Sequence, residues 1–306
     1  MNPKRTFASS SERFPHRCLV RLRGIYDSLK TAERRAADHL LAQPQNVAAT
    51  GVVEFAAQAG CSEATVVRLA KRLGYDGYPG LRGAFAGVSP ETPYRNIGLK
   101  DKPDAVLKKV FANSVQALQD TLAAIDLAQF LAAVEALANA RSLAFFGLGN
   151  AAVVAREAYH KFLRAGVSCH TAEDPDLQLI ILSSHLGPGD VLIAISYSGE
   201  SRPIVAVARA ARARNIKVLA ITNFPRSSLA RAADIVLLTA VFQEHLNGEI
   251  GSQRLAQLAV LESLYVNCLL RQDPRRRKRL AAADRLLDLN KTRKPNFRKL
   301  TKGHQP

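Results

Sequence analysis

The chain reads as an α/β protein in two parts, an all-α helix-turn-helix domain followed by a domain built on a parallel sheet. Three observations carry this. Between Gly51 and Gly74, two short helical stretches flank a tight glycine turn. From Leu143 onward, short apolar runs alternate with helical ones, as in a parallel sheet covered on both faces. One of those runs, Val191 to Ile195, is wholly apolar and mostly β-branched, which suits a strand buried on both sides.

A chain of 306 residues suggests about two domains. The pattern divides it into a basic tail (1–17), the helix-turn-helix domain (18–89), a Pro-containing linker (90–103), the parallel-sheet domain (104–271) and a second basic tail (272–306). The formal charge of +17 is concentrated in the flanks. Before Thr31, seven Lys/Arg face two acids; after Arg271, twelve face three. Solubilising tails and a sequence-blind hold on nucleic-acid phosphates both fit that distribution. No run approaches the ~18 apolar residues of a membrane span. Lys4-Arg5 leads into Ser9-Ser10-Ser11-Glu12-Arg13 rather than an apolar signal core, so a cytoplasmic protein without a membrane partner is expected. Cys18, Cys61, Cys169 and Cys268 lie far apart with no metal-ligand spacing. They read as reduced, small apolar residues, and no metal is expected.

In order, Leu19 to Leu29 forms a first helix, with Leu22, Ile25, Tyr26 and Leu29 at helical spacing. Thr31 caps a second helix that Pro44 ends. After Gly51 comes a short helix, the Gly60 turn, and a helix capped by Ser62. On a wheel of ~100° per residue, Val66, Leu69, Ala70 and Leu73 face the core. Ala64, Thr65, Arg68, Lys71 and Arg72 fall on the other side. In a DNA-binding unit that side enters the major groove, with Arg68 and Thr65 best placed for base edges and Lys71 and Arg72 for base or phosphate. An αα-hairpin with a solvated charged face has the same wheel. A short helix from Leu81 to Ala86 closes the domain.

Two amphipathic helices follow, from about Asp104 to Ala124 and from the cap Asp126 to about Ala140. Strands are expected at Leu143–Phe146, Val167–Thr171, Val191–Ser196, Lys217–Thr222 and Ile235–Leu238, with helices from Ala151, Asp176, Pro203, Ser227 and Ser252. Gly147-x-Gly149 lacks the third glycine and later acid of a dinucleotide fingerprint, so no NAD or other cofactor is expected. The strand at Val191 stops in Ser196-Tyr197-Ser198-Gly199-Glu200-Ser201. Ser201 stands at the N-cap position and Pro203 in the first turn of the next helix. Free backbone N–H groups, the helix dipole and small hydroxyls gather there, which suits a phosphate. A plain capped turn would use the same residues.

The two motif sets, in this order, resemble the RpiR/MurR family of bacterial transcriptional regulators. The resemblance covers nearly everything from Leu19 to Arg271. It is densest at Ser62–Arg68 with Leu73–Tyr78, at Phe146–Asn150, at Ile195–Ser201, at Ala220–Asn223 and at Leu255–Leu258. The wider sequence looks most like the HexR-like branch, whose members control sugar catabolism through phosphorylated intermediates. The resemblance implies a Rossmann-like, flavodoxin-like sugar isomerase (SIS) domain that senses a sugar phosphate. Gly147, Gly149, Asn150, Ser196, Ser198, Gly199, Ser201 and Thr222, with Asn223, would then hold the effector. It also implies operator DNA as partner and a homodimer or homotetramer, because one helix-turn-helix unit reads few base pairs. Two positions depart from the family pattern. Ala151 stands where a serine is usual, and Asp176 where many members have histidine. Both bear on effector affinity or identity.

Two other classes compete with this reading. An SIS isomerase needs a Glu or His beside a carbonyl, and Glu200, Glu249, His160, His185 and His245 are available. No pair of them has diagnostic spacing, and an isomerase has no use for a helix-turn-helix. A non-specific DNA-binding protein would account for the basic flanks but not for the serine loop.

Overall fold

The computed structural model describes residues 17–85, 97–241 and 251–271. The two basic tails, part of the linker, Glu249 and His245 lie outside the described residues. The helical head comprises α1 (Arg17–Ile25), α2 (Thr31–Ala42), α3 (Pro44–Val47), α4 (Val52–Gln58), α5 (Glu63–Arg72) and α6 (Tyr78–Ala84). Its core gathers Leu22, Leu40, Phe55, Val66, Leu69 and Leu81, all nearly or fully buried.

Two expectations for the head need correction. The first helix stops at Ile25, and Tyr26–Ser28 tightens into a 3₁₀ turn. There the Ser28 hydroxyl donates to the Ile25 carbonyl (2.6 Å), offering the backbone an alternative to the next α-turn. Thr31 is the first helical residue rather than the cap. The Lys30 N–H at the cap position is taken by the Glu33 carboxylate (3.1 Å). Pro44 ends α2 as expected and also opens α3, where its missing N–H costs nothing.

The second domain begins with α7 (Pro103–Ala124) and α8 (Leu127–Asn139), the latter capped by the Asp126 carboxylate. It continues through β1 (Leu143–Phe146), α9 (Asn150–Arg164), β2 (Cys169–Ala172), α10 (Pro175–Ser184), β3 (Val191–Ile195) and α11 (Arg202–Ala213). It closes with β4 (Lys217–Thr222), α12 (Ser228–Ala232), β5 (Ile235–Leu238) and α13 (Gly251–Leu270). The five strands form one parallel sheet in the order β2-β1-β3-β4-β5, the flavodoxin-like order. Apolar clusters cover both faces, one under α8, α9 and α13, the other under α10, α11 and α12. β1 and β3 are buried at every residue, as unbroken apolar runs require. Chain order reverses between them, so their carboxyl ends open a crevice at the switch point.

The amino end of the sheet is sealed by a bidentate ion pair. Arg141 Nε and Nη2 donate to the two Asp190 oxygens (3.0 and 2.8 Å), and the Gly187 N–H donates to the same carboxylate. The Asp190 side chain is fully buried. Burial pushes its pKa up, but the guanidinium and the Gly187 N–H outweigh this and hold it below the usual carboxylate range.

Candidate functional site

The crevice has two lips. One is the turn after β1. A Cβ on Gly147 would fall 2.5 Å from the Ala151 carbonyl oxygen, so only glycine lets α9 start so close to the strand. Gly149 has φ +55°. Asn150 opens α9, and its Oδ1 accepts from Arg254 of α13 (2.8 Å). Ala151 is nearly buried beside Gly147.

The other lip is the serine loop after β3. Ser196 Oγ accepts the Gly199 N–H (3.1 Å) and Ser198 Oγ accepts the Glu200 N–H (3.2 Å). Both hydroxyls are thus fixed as acceptors, and each keeps its own hydrogen for a further acceptor. Gly199 has φ +66°, and an added Cβ would lie 2.2 Å from Ser227 Oγ and 2.8 Å from Thr222 Oγ1. The Gly199 carbonyl accepts the Leu229 N–H (2.9 Å), so the loop is locked onto α12. Ser201 occupies the N-cap position of α11 as expected, but its hydroxyl makes no capping bond, unlike the plain capped turn that the same residues could have formed. The first-turn N–H groups of α11 lack that partner, and one of them is deleted by Pro203.

The structure does not bring Thr222 to the crevice surface. It is fully buried, donating to the Tyr197 carbonyl (3.1 Å) and accepting from the Phe224 N–H (3.4 Å). Asn223 is likewise spent on Val241 and Thr239. Both are struts beneath the loop. Sequence reasoning missed Ser227, which presses on Gly199 and caps α12, and Tyr197, whose hydroxyl reaches the Val241 carbonyl (2.8 Å). A serine opening a short helix was the one local signal for the first; the second had none.

Among the candidate proton-transfer residues, His185 lies at the amino end of the sheet, stacked on His170 (5.3 Å between centroids) and remote from the crevice. Burial, with His185 nearby, pushes the His170 pKa down. Glu200 accepts the Ser228 N–H (2.8 Å), and hydrogen bonding from Ser228 holds its carboxyl below its usual range. An ionised, engaged carboxylate is a poor general acid. His160 is exposed on α9, past its midpoint.

In the head, Ser62 caps α5 and accepts the Thr65 N–H (3.3 Å). Ala64, Arg68 and Lys71 are exposed on the outer face. Two wheel assignments are corrected. Thr65 is 3% exposed: its hydroxyl is bonded to Ser62 Oγ (2.9 Å) and accepts from Arg68 (3.1 Å), which turns it inward and steadies the arginine. Arg72 pairs with the nearly buried Glu33 (2.5 Å) and donates to the Ser28 carbonyl and hydroxyl (3.1 and 2.9 Å). Ser28 Oγ also receives Arg226 (3.3 Å), from the loop between β4 and α12. A cavity of about 420 Å³ separates head and sheet domain here, bordered by Arg21, Arg72, Asp126, Asn223 and Thr239.

A helical head that presents a recognition helix, carried on a parallel-sheet domain with a hydroxyl-lined switch-point crevice, defines a class: the two-domain, ligand-responsive DNA-binding regulators. Comparison with known proteins makes this specific. Residues 17–89 match the helix-turn-helix domain of the rpiR family and residues 136–267 match the SIS domain. The chain is 33% identical over 260 residues to the HTH-type transcriptional regulator HexR of Pseudomonas aeruginosa, covering 83% of this chain and 90% of that one. It is 30% identical over 262 residues to an HTH-type transcriptional regulator of Thermotoga maritima, covering 84% and 93%. The solved Vibrio vulnificus NanR protein, complexed with ManNAc-6P, is 26% identical, with a TM-score of 0.58 over 90% of this chain and 100% of that one. The chain belongs to the RpiR family of HTH-type transcriptional regulators.

Proposed function

We propose that the protein binds operator DNA as a homodimer or a pair of dimers, and that a phosphorylated sugar held in the crevice changes its operator affinity. The carrying observation is the serine loop. Ser196 and Ser198 present free hydroxyl hydrogens, Ser201 is uncommitted as a cap, and Gly199 keeps the backbone side-chain-free at the mouth of α11. A phosphate needs donors and positive potential, and this lip supplies both. Gly147, Gly149 and Asn150 form the facing lip. The ligand in the Vibrio vulnificus relative, a phosphorylated sugar by its abbreviation, supports the effector class.

On the DNA side, Arg68 and Lys71, with Ala64 and the Ser62 cap, are the contacting residues, and Thr65 and Arg72 support them from within. The route between sites runs from Gly199 to Ser227, then along the loop to Arg226, and through Ser28 to Arg72 on α5. A phosphate that draws the serine loop toward α11 shifts Ser227 and with it the grip on Ser28. Such a ligand acts only through its difference in affinity between two arrangements, typically ~1–3 kcal/mol. Dimerisation is supported by an apolar stripe on α7: Leu107, Phe111, Val115 and Leu122 are each more than half exposed and share one helical face. Among the described residues no single helix is long and apolar enough to cross a membrane, and DNA as partner implies the cytoplasm. The engaged state of Glu200 and the remote His185 favour a sensing crevice over an isomerase active site.

The test is a fluorescence-anisotropy titration of operator DNA, identified by genomic footprinting, with and without each member of a sugar-phosphate panel. Ser198→Ala binds the operator as wild type does but loses most of the effector response. A variant that still responds fully, or a wild type that responds to no phosphorylated sugar, overturns the proposal.

A further inference from the structure

Four buried side-chain polar atoms among the described residues have no hydrogen-bonding partner: Gln178 Oε1, Ser252 Oγ, and both Oε1 and Nε2 of Gln257. Their residues are 0%, 3% and 0% exposed. Buried polar groups are almost always paired, because an unpaired one forfeits its hydration for nothing. An amide with neither end satisfied is the extreme case.

Each lies on an element that reaches the carboxyl end of the sheet, Gln178 on α10 and Ser252 and Gln257 on α13. Gln178 Nε2 donates to the carbonyls of Gly147 (3.3 Å) and Ala172 (2.9 Å), so its amide sits where β1 and β2 end. Ser252 lies in the first turn of α13, two residues before Arg254, which reaches Asn150 on the crevice lip. Ala256 packs with Val241 and Ala117 against Tyr197 of the serine loop. Gln257 is next in the chain. Helices α9 and α13 run in the same direction, joined at Asn150–Arg254 and again at Lys161–Glu262. Gln257 therefore lies one turn below the crevice lip. Side chains in a helix lean toward its amino end, and the amino end of α13 is the end that meets Asn150 on the lip.

We infer that Gln178, Ser252 and Gln257 recognise the hydroxylated carbon body of the effector whose phosphate the serine loop holds. This rests on the reading of the crevice as a sugar-phosphate site. The chemistry is that of a neutral polyol. An amide and a hydroxyl offer donors and acceptors side by side, as vicinal sugar hydroxyls do, and none of the unpaired atoms carries charge. The phosphate supplies the affinity common to all such ligands, and the orphaned atoms choose among the bodies attached to it. A site that hydrogen-bonds a hydroxyl rejects an analogue lacking it, because its own polar atoms then stay unpaired.

The experiment uses the full chain, calorimetry and thermal unfolding, with ethyl phosphate as the hydroxyl-free probe. The sugar phosphates are glucose 6-phosphate, N-acetylmannosamine 6-phosphate and arabinose 5-phosphate. Wild type binds its best sugar phosphate at least tenfold tighter than ethyl phosphate. Gln257→Leu and Ser252→Ala keep the ethyl phosphate affinity and lose at least tenfold for the sugar phosphate. Gln257→Leu also melts higher than wild type without ligand, because it removes a buried unpaired amide; a purely structural glutamine, bonded directly or through water, would melt lower on replacement. Unchanged sugar-phosphate affinity in both variants, or a lower melting temperature for Gln257→Leu, overturns the inference. Ethyl phosphate bound as tightly as any sugar phosphate overturns it while sparing the crevice as a phosphate site. Binding of none of these probes overturns both.

Discussion

The two ends of the sheet are built on opposite rules. At the amino end the buried Asp190 is fully engaged: its carboxylate takes Arg141 on both oxygens and the Gly187 N–H besides. At the carboxyl end, the Ser196 and Ser198 hydroxyls only accept, the Ser201 cap is unused, and the Gln178 amide oxygen and the whole Gln257 amide go unpaired. On the proposed reading, the chain satisfies its polar atoms where it needs only to fold and leaves them open where the effector is to be received. Stability and binding capacity are thus allotted to opposite edges of the same five strands.

The sharpest way to break the contrast is at Gly199. Gly199→Ala puts a methyl group within 2.2 Å of Ser227 Oγ at a positive φ, and should cost about 3 kcal/mol in a urea titration while abolishing the effector response. A variant as stable as wild type would show that the serine loop is not locked onto α12. Next in size is Arg141→Ala at the sealed end. It leaves a buried carboxylate without its cation and should lower the urea midpoint, by less than breaking a fully buried pair because the guanidinium is largely exposed. Since Asp190 titrates low in the folded protein, its contribution is complete above about pH 4–5 and fades as pH falls through the folded value. In the variant, burial is opposed only by backbone N–H groups, so the Asp190 pKa rises and the acid-unfolding midpoint moves to higher pH. An unmoved midpoint removes Asp190 from the account.

The same division of labour is legible on one helix of the head, where two arginines one turn apart do different jobs. Arg72→Ala breaks the pair with Glu33 and should destabilise by about 1 kcal/mol. Arg68→Ala should leave stability within about 0.5 kcal/mol, yet lower operator affinity by about 1–3 kcal/mol and relax base preference. Identical footprints for Arg68→Ala and wild type would remove Arg68 from base reading.

The amino-acid pattern revealed unbroken apolar strands well. Leu143–Phe146, Lys217–Thr222 and Ile235–Leu238 form as expected, because burial on both faces leaves a signal that needs no context. The strand β2 begins two residues later than expected, since it is a half-exposed edge without such a run. Thr65 was misplaced because a helical wheel sees angle alone, whereas a cap hydroxyl three residues back draws the side chain inward. Arg72 and Thr222 were misjudged for a different reason. Their partners, Glu33 and Tyr197, lie 39 and 25 residues away, beyond any local pattern. Gln257 falls in the Leu255–Leu258 stretch of the family resemblance, but nothing local tells that its amide, or the Gln178 oxygen, goes unpaired.

The pairing of β1 with β3 has a consequence for folding. The lips of the crevice come from strands that touch from Leu143 opposite Val191 to Phe146 opposite Ala194, yet are separated in the chain by a helix, an edge strand and another helix. The two lips meet only once that central ladder has zipped, so no fragment ending before Val191 contains half a pocket that could bind. On the proposed reading, occupancy is therefore linked to formation of the β1–β3 ladder. In hydrogen exchange, a bound effector would slow the centre of the sheet along with the loops that touch it.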